Sequence, residues 1–201
     1  MSNNKRIAKN TLILYLRQVL ILLVSLYTVR IVLNTLGIED YGIYCTIAGI
    51  VSFFSFLSNS MASATQRFFS FALGQKDTDK LNRTFSVNLI IYVIIAILAF
   101  LLLETLGTWF VDNRLNVPPQ RFEAARFLFH FSTLTLVASI FTTPFMAIII
   151  AHEDMSIYAY VSIFEVIMKL VIVFLLTYLP WDKLELYGVL IFAVALFVDI
   201  V

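Results

Sequence analysis

Apolar residues run along this chain in stretches long enough to cross a bilayer, at about 11–36, 41–73, 85–106, 122–150 and 156–179. A sixth stretch begins near 185 and is still running at Val201. Short polar segments separate them. Gly37 is read as the glycine that ends the first helix, with Glu39 or Asp40 capping the second, and Gly74 ends the second in the same way. The segment from Gly74 to Thr84 is read as a polar loop. Trp109, Asp112, Asn113, Pro118 and Pro119 mark a longer one, and His152-Glu153-Asp154 and Pro180-Trp181-Asp182 make the last two turns. The pattern predicts an all-α, polytopic membrane protein of about six helices in one domain.

Within the second stretch, Ser52, Ser55, Asn59, Ser63, Gln66 and Ser70 recur at intervals of three and four, so a helix collects them on one seam about 27 Å long. Ile50, Phe54, Leu57, Met61 and Phe68 fall opposite, on a face expected to meet lipid. Two readings stand for the seam. Small hydroxylated residues let helices approach closely, and they also line polar interiors; Asn59 and Gln66 are larger than close packing needs. The fourth stretch carries a similar line, Ser132, Thr135, Ser139 and Thr142, followed by Pro144, where hydroxyls can satisfy backbone groups freed at a kink.

Composition narrows the class. The 201 residues are 61% hydrophobic and 13% charged, well below the roughly 25% charged residues of a soluble domain. A net charge of +1 gives no basic field for nucleic acid, and the lone Cys45 cannot form an internal disulfide. No glycine-rich phosphate loop is present. Lys5, Arg6 and Lys9 precede an apolar run too long for a signal peptide, and no cleavage site follows it. Together with Lys76, Lys80 and Arg83, these cations outnumber Arg114, Arg121 and Lys183 on the other side, which predicts a cytoplasmic N-terminus. Trp109, Tyr178 and Trp181 then share the outer interface.

Charges inside the apolar stretches carry the candidate chemistry, because each costs about 2.5–3.5 kcal/mol at mid-bilayer. Glu165 and Lys169 lie four apart on the fifth helix, in the favourable order for an ion pair, with Tyr158 and Ser162 on the same face. Lys169 could meet an anionic substrate and Glu165 a proton or cation, or the two could simply neutralise each other against a neighbouring helix. Arg17 and Arg30 sit toward opposite ends of the first helix, where snorkelling to head groups is the plain alternative to a place on a substrate path. Arg67 is either a cavity residue or an interface anchor.

Three soluble-type motifs fail. Asp77-Thr78-Asp79 sits in a loop too short for a catalytic domain, and the Asn82-Arg83-Thr84 sequon faces the cytoplasm. His152, Glu153 and Asp154 would need metal-ligating partners from elsewhere, and capping explains the acids more simply. No enzyme, cofactor or metal is expected.

Four strings in order resemble bacterial polysaccharide flippases, the O-antigen type, of the multidrug/oligosaccharidyl-lipid/polysaccharide exporter superfamily. They are VRIVLNTLGIEDYGIY at 29–44, SFLSNSMASATQRFFSFALG at 55–74, ETLGTWFVDNRLNVP at 104–118 and PFMAIIIAHEDMSIYAYVSIFEVIMKL at 144–170. The resemblance implies two lobes of six or seven helices around a central cavity, of which this chain would be the N-terminal lobe, its sixth helix incomplete. It implies transfer of an anionic lipid-linked oligosaccharide across the bacterial inner membrane by alternating access, often coupled to a proton or sodium gradient. A second lobe or second copy would complete the path. Such cavities tend to be basic, which makes Arg17, Arg30, Arg67 and Lys169 candidates by chemistry and position rather than by a matched motif. A drug/cation antiporter of the same superfamily, and a non-transporting membrane scaffold or remnant, are the competing expectations.

Overall fold

The computed structural model describes residues 3–200; Val201 and the side chains of Arg6 and Leu57, named above, lie outside what is described. Every regular element among the described residues is helical. The first helical run, Asn3–Gly74, is broken only at Gly37, whose φ of 80° and ψ of 172° leave the helical region. A positive φ is open to glycine without steric cost, and here it supplies the whole reversal between two spans. The arms 3–36 and 38–74 are called α1 and α2. Thr78–Leu102, a π-turn at Leu103–Gly107 and Thr108–Arg114 form α3; α4 is Phe122–Ala151, α5 is Met155–Tyr178 and α6 is Lys183–Ile200.

Long-range contacts fix an alternating up-and-down bundle. Asn10 on α1 donates to the Glu153 carbonyl, Arg17 meets Ser162, and Tyr27 meets Phe174, so α1 runs parallel to α5. Phe69 stacks on Phe85, and Phe85 meets Phe145 edge-to-face, so α2, α3 and α4 alternate in direction. The N-terminus and the 75–77 and 152–154 turns therefore share one end, the near end. Gly37 and the 115–121 and 179–182 connections share the far end.

Elements run longer than their apolar stretches because polar residues at the ends still form helix. Asp77 caps α3, its Oδ1 accepting the Lys80 N–H at 2.9 Å, so the helix starts inside the expected 74–84 loop. Two expected terminators act differently. The left-handed residue after α2 is Lys76 (φ 56°) rather than Gly74, and Asp154 makes no side-chain cap on α5; the 152–154 turn instead passes through Glu153 at φ 61°. Asp40 does not cap α2 either. It is buried, and its Oδ2 lies 3.0 Å from Arg121 Nη2. Arg121 Nη1 bonds Asp182 Oδ2 as well, and Asp182 Oδ1 accepts the N–H groups of Leu184 (3.0 Å) and Glu185 (3.3 Å) to cap α6. One guanidinium thus ties the three connections of the far end together.

The core lies mostly behind that tie, with Val32, Leu36, Ile43 and Ile47 against Leu103, Leu128, Phe129, Leu176 and Leu184. α6 approaches α4 closely at Gly188, where a Cβ would stand 2.9 Å from Leu128 Cδ1. Elsewhere large apolar side chains point outward, among them Tyr15, Leu26, Phe53, Phe56 and Ile94, which is the surface of a protein solvated by lipid. By length and hydropathy four runs qualify as membrane-spanning: Ile7–Gly74, Thr78–Arg114, Pro119–Ala151 and Met155–Tyr178. The first contains two spans across Gly37. α6 carries Lys183, Glu185 and Asp199 within 18 residues, which keeps it out of that set.

Arg121→Ala should lower the stability of the purified protein by about 1–3 kcal/mol, because it leaves the buried Asp40 carboxylate uncompensated. Thermal unfolding in detergent measures this, and Asp40→Asn combined with Arg121→Ala should recover part of the loss. An unchanged melting temperature in Arg121→Ala would show that the tie is dispensable.

Candidate functional site

The rotation of α2 decides what its polar seam meets. Thr65, fully buried, donates to Asn88 Oδ1 (3.0 Å) and lies 3.4 Å from the Tyr92 hydroxyl, while Asn88 Nδ2 donates to the Thr84 carbonyl. This polar knot turns one stripe of α2, including Ile47, Val51, Thr65 and Phe69, onto the bundle. A second stripe, with Phe53, Phe56 and Phe71, points outward. The seam is the third, the three being about 120° apart around the helix.

The apolar face opposite the seam therefore does not meet lipid as a whole. Ile50, Phe54 and Met61 pack against the core, and Phe68 is exposed. The physical reason is that a helix against two neighbours and lipid has three environments, so the point opposite a cavity falls between core and lipid.

Five seam residues, Ser52, Ser55, Asn59, Ser63 and Gln66, line one cavity of about 550 Å³; Ser70 does not. Facing them across it are Ser132, Thr135, Ser139 and Thr142 of α4, with Tyr158, Glu165 and Lys169 of α5 and Asp199 of α6. The cavity follows α2 from Tyr44 to Gln66 and α4 from Leu128 to Ile150, about 33 Å along each. At its far-end limit Tyr44 stands edge-to-face on Tyr187, ring centroids 5.0 Å apart.

Its polar groups differ in how far the protein satisfies them. The α4 hydroxyls bond back to their own helix, Thr135 to the Phe131 carbonyl (2.8 Å), Ser139 to Leu136 (2.8 Å) and Thr142 to Ala138 (3.1 Å). None of these goes to Ile140, the carbonyl that Pro144 leaves without an N–H, and α4 continues through the proline as one helix. Ser52 bonds Gly49. Ser55, Asn59, Ser63 and Gln66 make no side-chain hydrogen bond to other described residues and open onto the cavity. Two carboxamides left open in this way have donors and acceptors to spare for water or a polar molecule in the cavity.

The charges are two carboxylates and one amine. Lys169 Nζ lies 2.6 Å from Glu165 Oε1, both side chains about two-fifths exposed to the cavity. Asp199 is held by the Thr142 hydroxyl, with Glu165 within electrostatic reach. Of the four basic candidates only Lys169 lines the cavity. Arg30 and Arg67 are exposed on the lobe's surface. Arg17 lies in a separate groove, its guanidinium over the Tyr158 ring. The expectation of a basic cavity gives way to one whose described lining charges sum to −1, because Arg30 and Arg67 face outward and Arg17 is held against α5 in its own groove.

Asp199 is the site residue that sequence reasoning missed; its place near the end of the last stretch hid its height beside Thr142. Another intramembrane pair was also missed: His130 Nδ1 and Glu104 Oε1 lie 2.9 Å apart outside the cavity, with Glu104 on the π-turn. A π-turn is not legible from residue spacing. Among the described residues no three His, Cys, Asp or Glu side chains gather as a metal would require.

A polytopic helical bundle with a polar cavity along its length has the build of a membrane transporter. The chain belongs to the MatE family, whose members are membrane transporters; the match covers residues 14–175. It is 32% identical over 95 residues to the uncharacterized membrane protein EpsK of Bacillus subtilis (strain 168), covering 47% of this chain and 18% of EpsK. The chain thus aligns with less than a fifth of that relative's length. No solved structure matches it significantly.

In a Cys45→Ala background, single cysteines at Ser55, Asn59 and Ser63 should react with a membrane-impermeant thiol reagent at least about tenfold faster than cysteines at Phe53, Phe54 or Phe56, since thiolate forms only where water reaches. Equal labelling of all six would return the seam to helix packing.

Proposed function

We propose that this chain is one lobe of an alternating-access transporter that moves a lipid-linked oligosaccharide across the bacterial inner membrane, with its N-terminus in the cytoplasm. The observation that carries this reading is the row of unsatisfied seam groups facing the α4 hydroxyls along the whole cavity. Sugar hydroxyls are both donors and acceptors, and so are Ser55, Ser63, Asn59 and Gln66. A cavity of this kind exchanges bonds with a polyhydroxylated cargo at nearly constant energy along its length, as a path requires. Lys169 is the one lining cation among the described residues, so an anionic linkage on the cargo would draw Lys169 away from Glu165. A second lobe, or a second copy, closes the open side, and the two rock against each other about the cargo.

A second reading rests on Glu165 and Asp199. Two carboxylates against one amine suit a coupling proton or sodium ion, and they also suit the cationic cargo of a drug antiporter. The two readings separate by mutation in the natural host. For a flippase, Lys169→Ala should reduce surface polymer by about tenfold, the loss of one charge-assisted contact, with the protein still inserted. For a drug antiporter, Glu165→Gln should instead lower drug resistance while polymer stays normal. Unchanged polymer and unchanged resistance in both variants would favour a scaffold without transport.

A further inference from the structure

A second groove lies on the outside of the lobe, between α1 and the α4–α5 turn, and the transport reading does not use it. It measures about 470 Å³ and is lined by Thr11, Leu14, Tyr15, Arg17 and Gln18 of α1 with Ile150, Met155 and Tyr158. Arg17 sits seven residues beyond Asn10, whose side chain bonds the 152–154 turn, and so lies about 10 Å in from that turn. Its guanidinium stacks 4.4 Å from the Tyr158 ring centre, and Nη1 donates to Ser162 Oγ at 3.2 Å. Of five N–H donors that is the one bonded to a described residue; Nε is buried without an acceptor among them.

The contrast with the other part-buried cations is informative. Lys169 has Glu165, and Arg121 has Asp40 and Asp182. Arg17 has no carboxylate within ion-pairing distance among the described residues, although it lies within a membrane-spanning helix and is only partly exposed. A cation held inward by a ring and a hydroxyl, short of an anion, calls for one from outside the chain.

We propose that this groove seats the phosphate of a membrane lipid from the leaflet on the N-terminal side, with Arg17 as its anchor. A guanidinium presents a planar fork that matches two phosphate oxygens, and the Tyr158 ring holds that plane in place. Thr11 and Gln18 give the head group polar neighbours, while Leu14, Ile150 and Met155 suit the first methylenes of the chains. The source of the phosphate follows from the surroundings. Leu12, Tyr15, Leu16 and Val19 are exposed apolar residues around the groove, so it is reached through lipid rather than through water. Tyr158 and Ile150 also line the central cavity, and a lipid seated on Arg17 therefore rests against the wall of that cavity.

Native mass spectrometry of the detergent-purified chain tests this with phosphatidylglycerol, diacylglycerol of the same chains, and inorganic phosphate as separate probes. The wild type should retain phosphatidylglycerol, and Arg17→Gln should weaken that retention by about tenfold or more. Met155→Trp, which fills the groove and leaves Arg17 intact, should do the same, while Arg83→Gln, an exposed cation at the same end, should leave retention unchanged. Melting temperatures establish that each variant is folded; if Arg17→Gln is not, Met155→Trp decides. Retention by Arg17→Gln and Met155→Trp equal to wild type, equal retention of diacylglycerol, or displacement of the lipid by inorganic phosphate would each overturn the assignment.

Discussion

Three chain reversals meet at one guanidinium. Arg121, just before α4, holds Asp40 from the α1–α2 corner and Asp182 from the α5–α6 turn, and Asp182 in turn caps α6. Each loop alone is a few polar residues at a membrane boundary with little reason to choose a position. Joined, they fix where α2, α4 and α6 enter the bundle and at what separation. Replacing the buried Asp40 carboxylate's water with Arg121 is what lets the far end close over an apolar core. At the near end Asn10 bonds the Glu153 carbonyl across to the α4–α5 turn, and Lys80 Nζ donates to Gln75 Oε1 across the α2–α3 turn.

The cavity lies below the far-end clamp. Core side chains gather toward the clamped end, and Gly188 lets α6 press against Leu128 there. Below it, α2 and α4 keep hydroxyls and amides where core residues would otherwise be, and the bundle stays open. The buried Thr65–Asn88–Tyr92 knot prevents α2 from turning its seam away. Packing is thus dense at one end, and a polar face stands open below it.

Several parts of this were legible in the residue order. The three-and-four spacing of Ser52, Ser55, Asn59, Ser63 and Gln66, the line on α4, and the four-residue step from Glu165 to Lys169 each state which side chains share a face, and those groups do share one cavity. Asp40 was legible only as a helix cap and Arg121 only as a count toward loop charge, because their partnership spans 81 positions of sequence. The arginines read as cavity residues were a matter of chemistry without direction: a helix records the angle of Arg30 or Arg67 but not what stands beside it.

The sequence by itself determined the helical class of the chain, its lipid solvent, and the sets of residues that travel together on each face, since all of these depend on local period and on the cost of polar groups in lipid. Only the tertiary structure decided which faces meet. It set the seam of α2 opposite the hydroxyls of α4, brought Asp199 beside Thr142, drew Arg17 out of the cavity into a groove of its own, and bound the far-end turns through Arg121. Those outcomes depend on how each helix is rotated about its axis, and rotation is fixed by contacts between residues far apart in the chain, which no local pattern encodes.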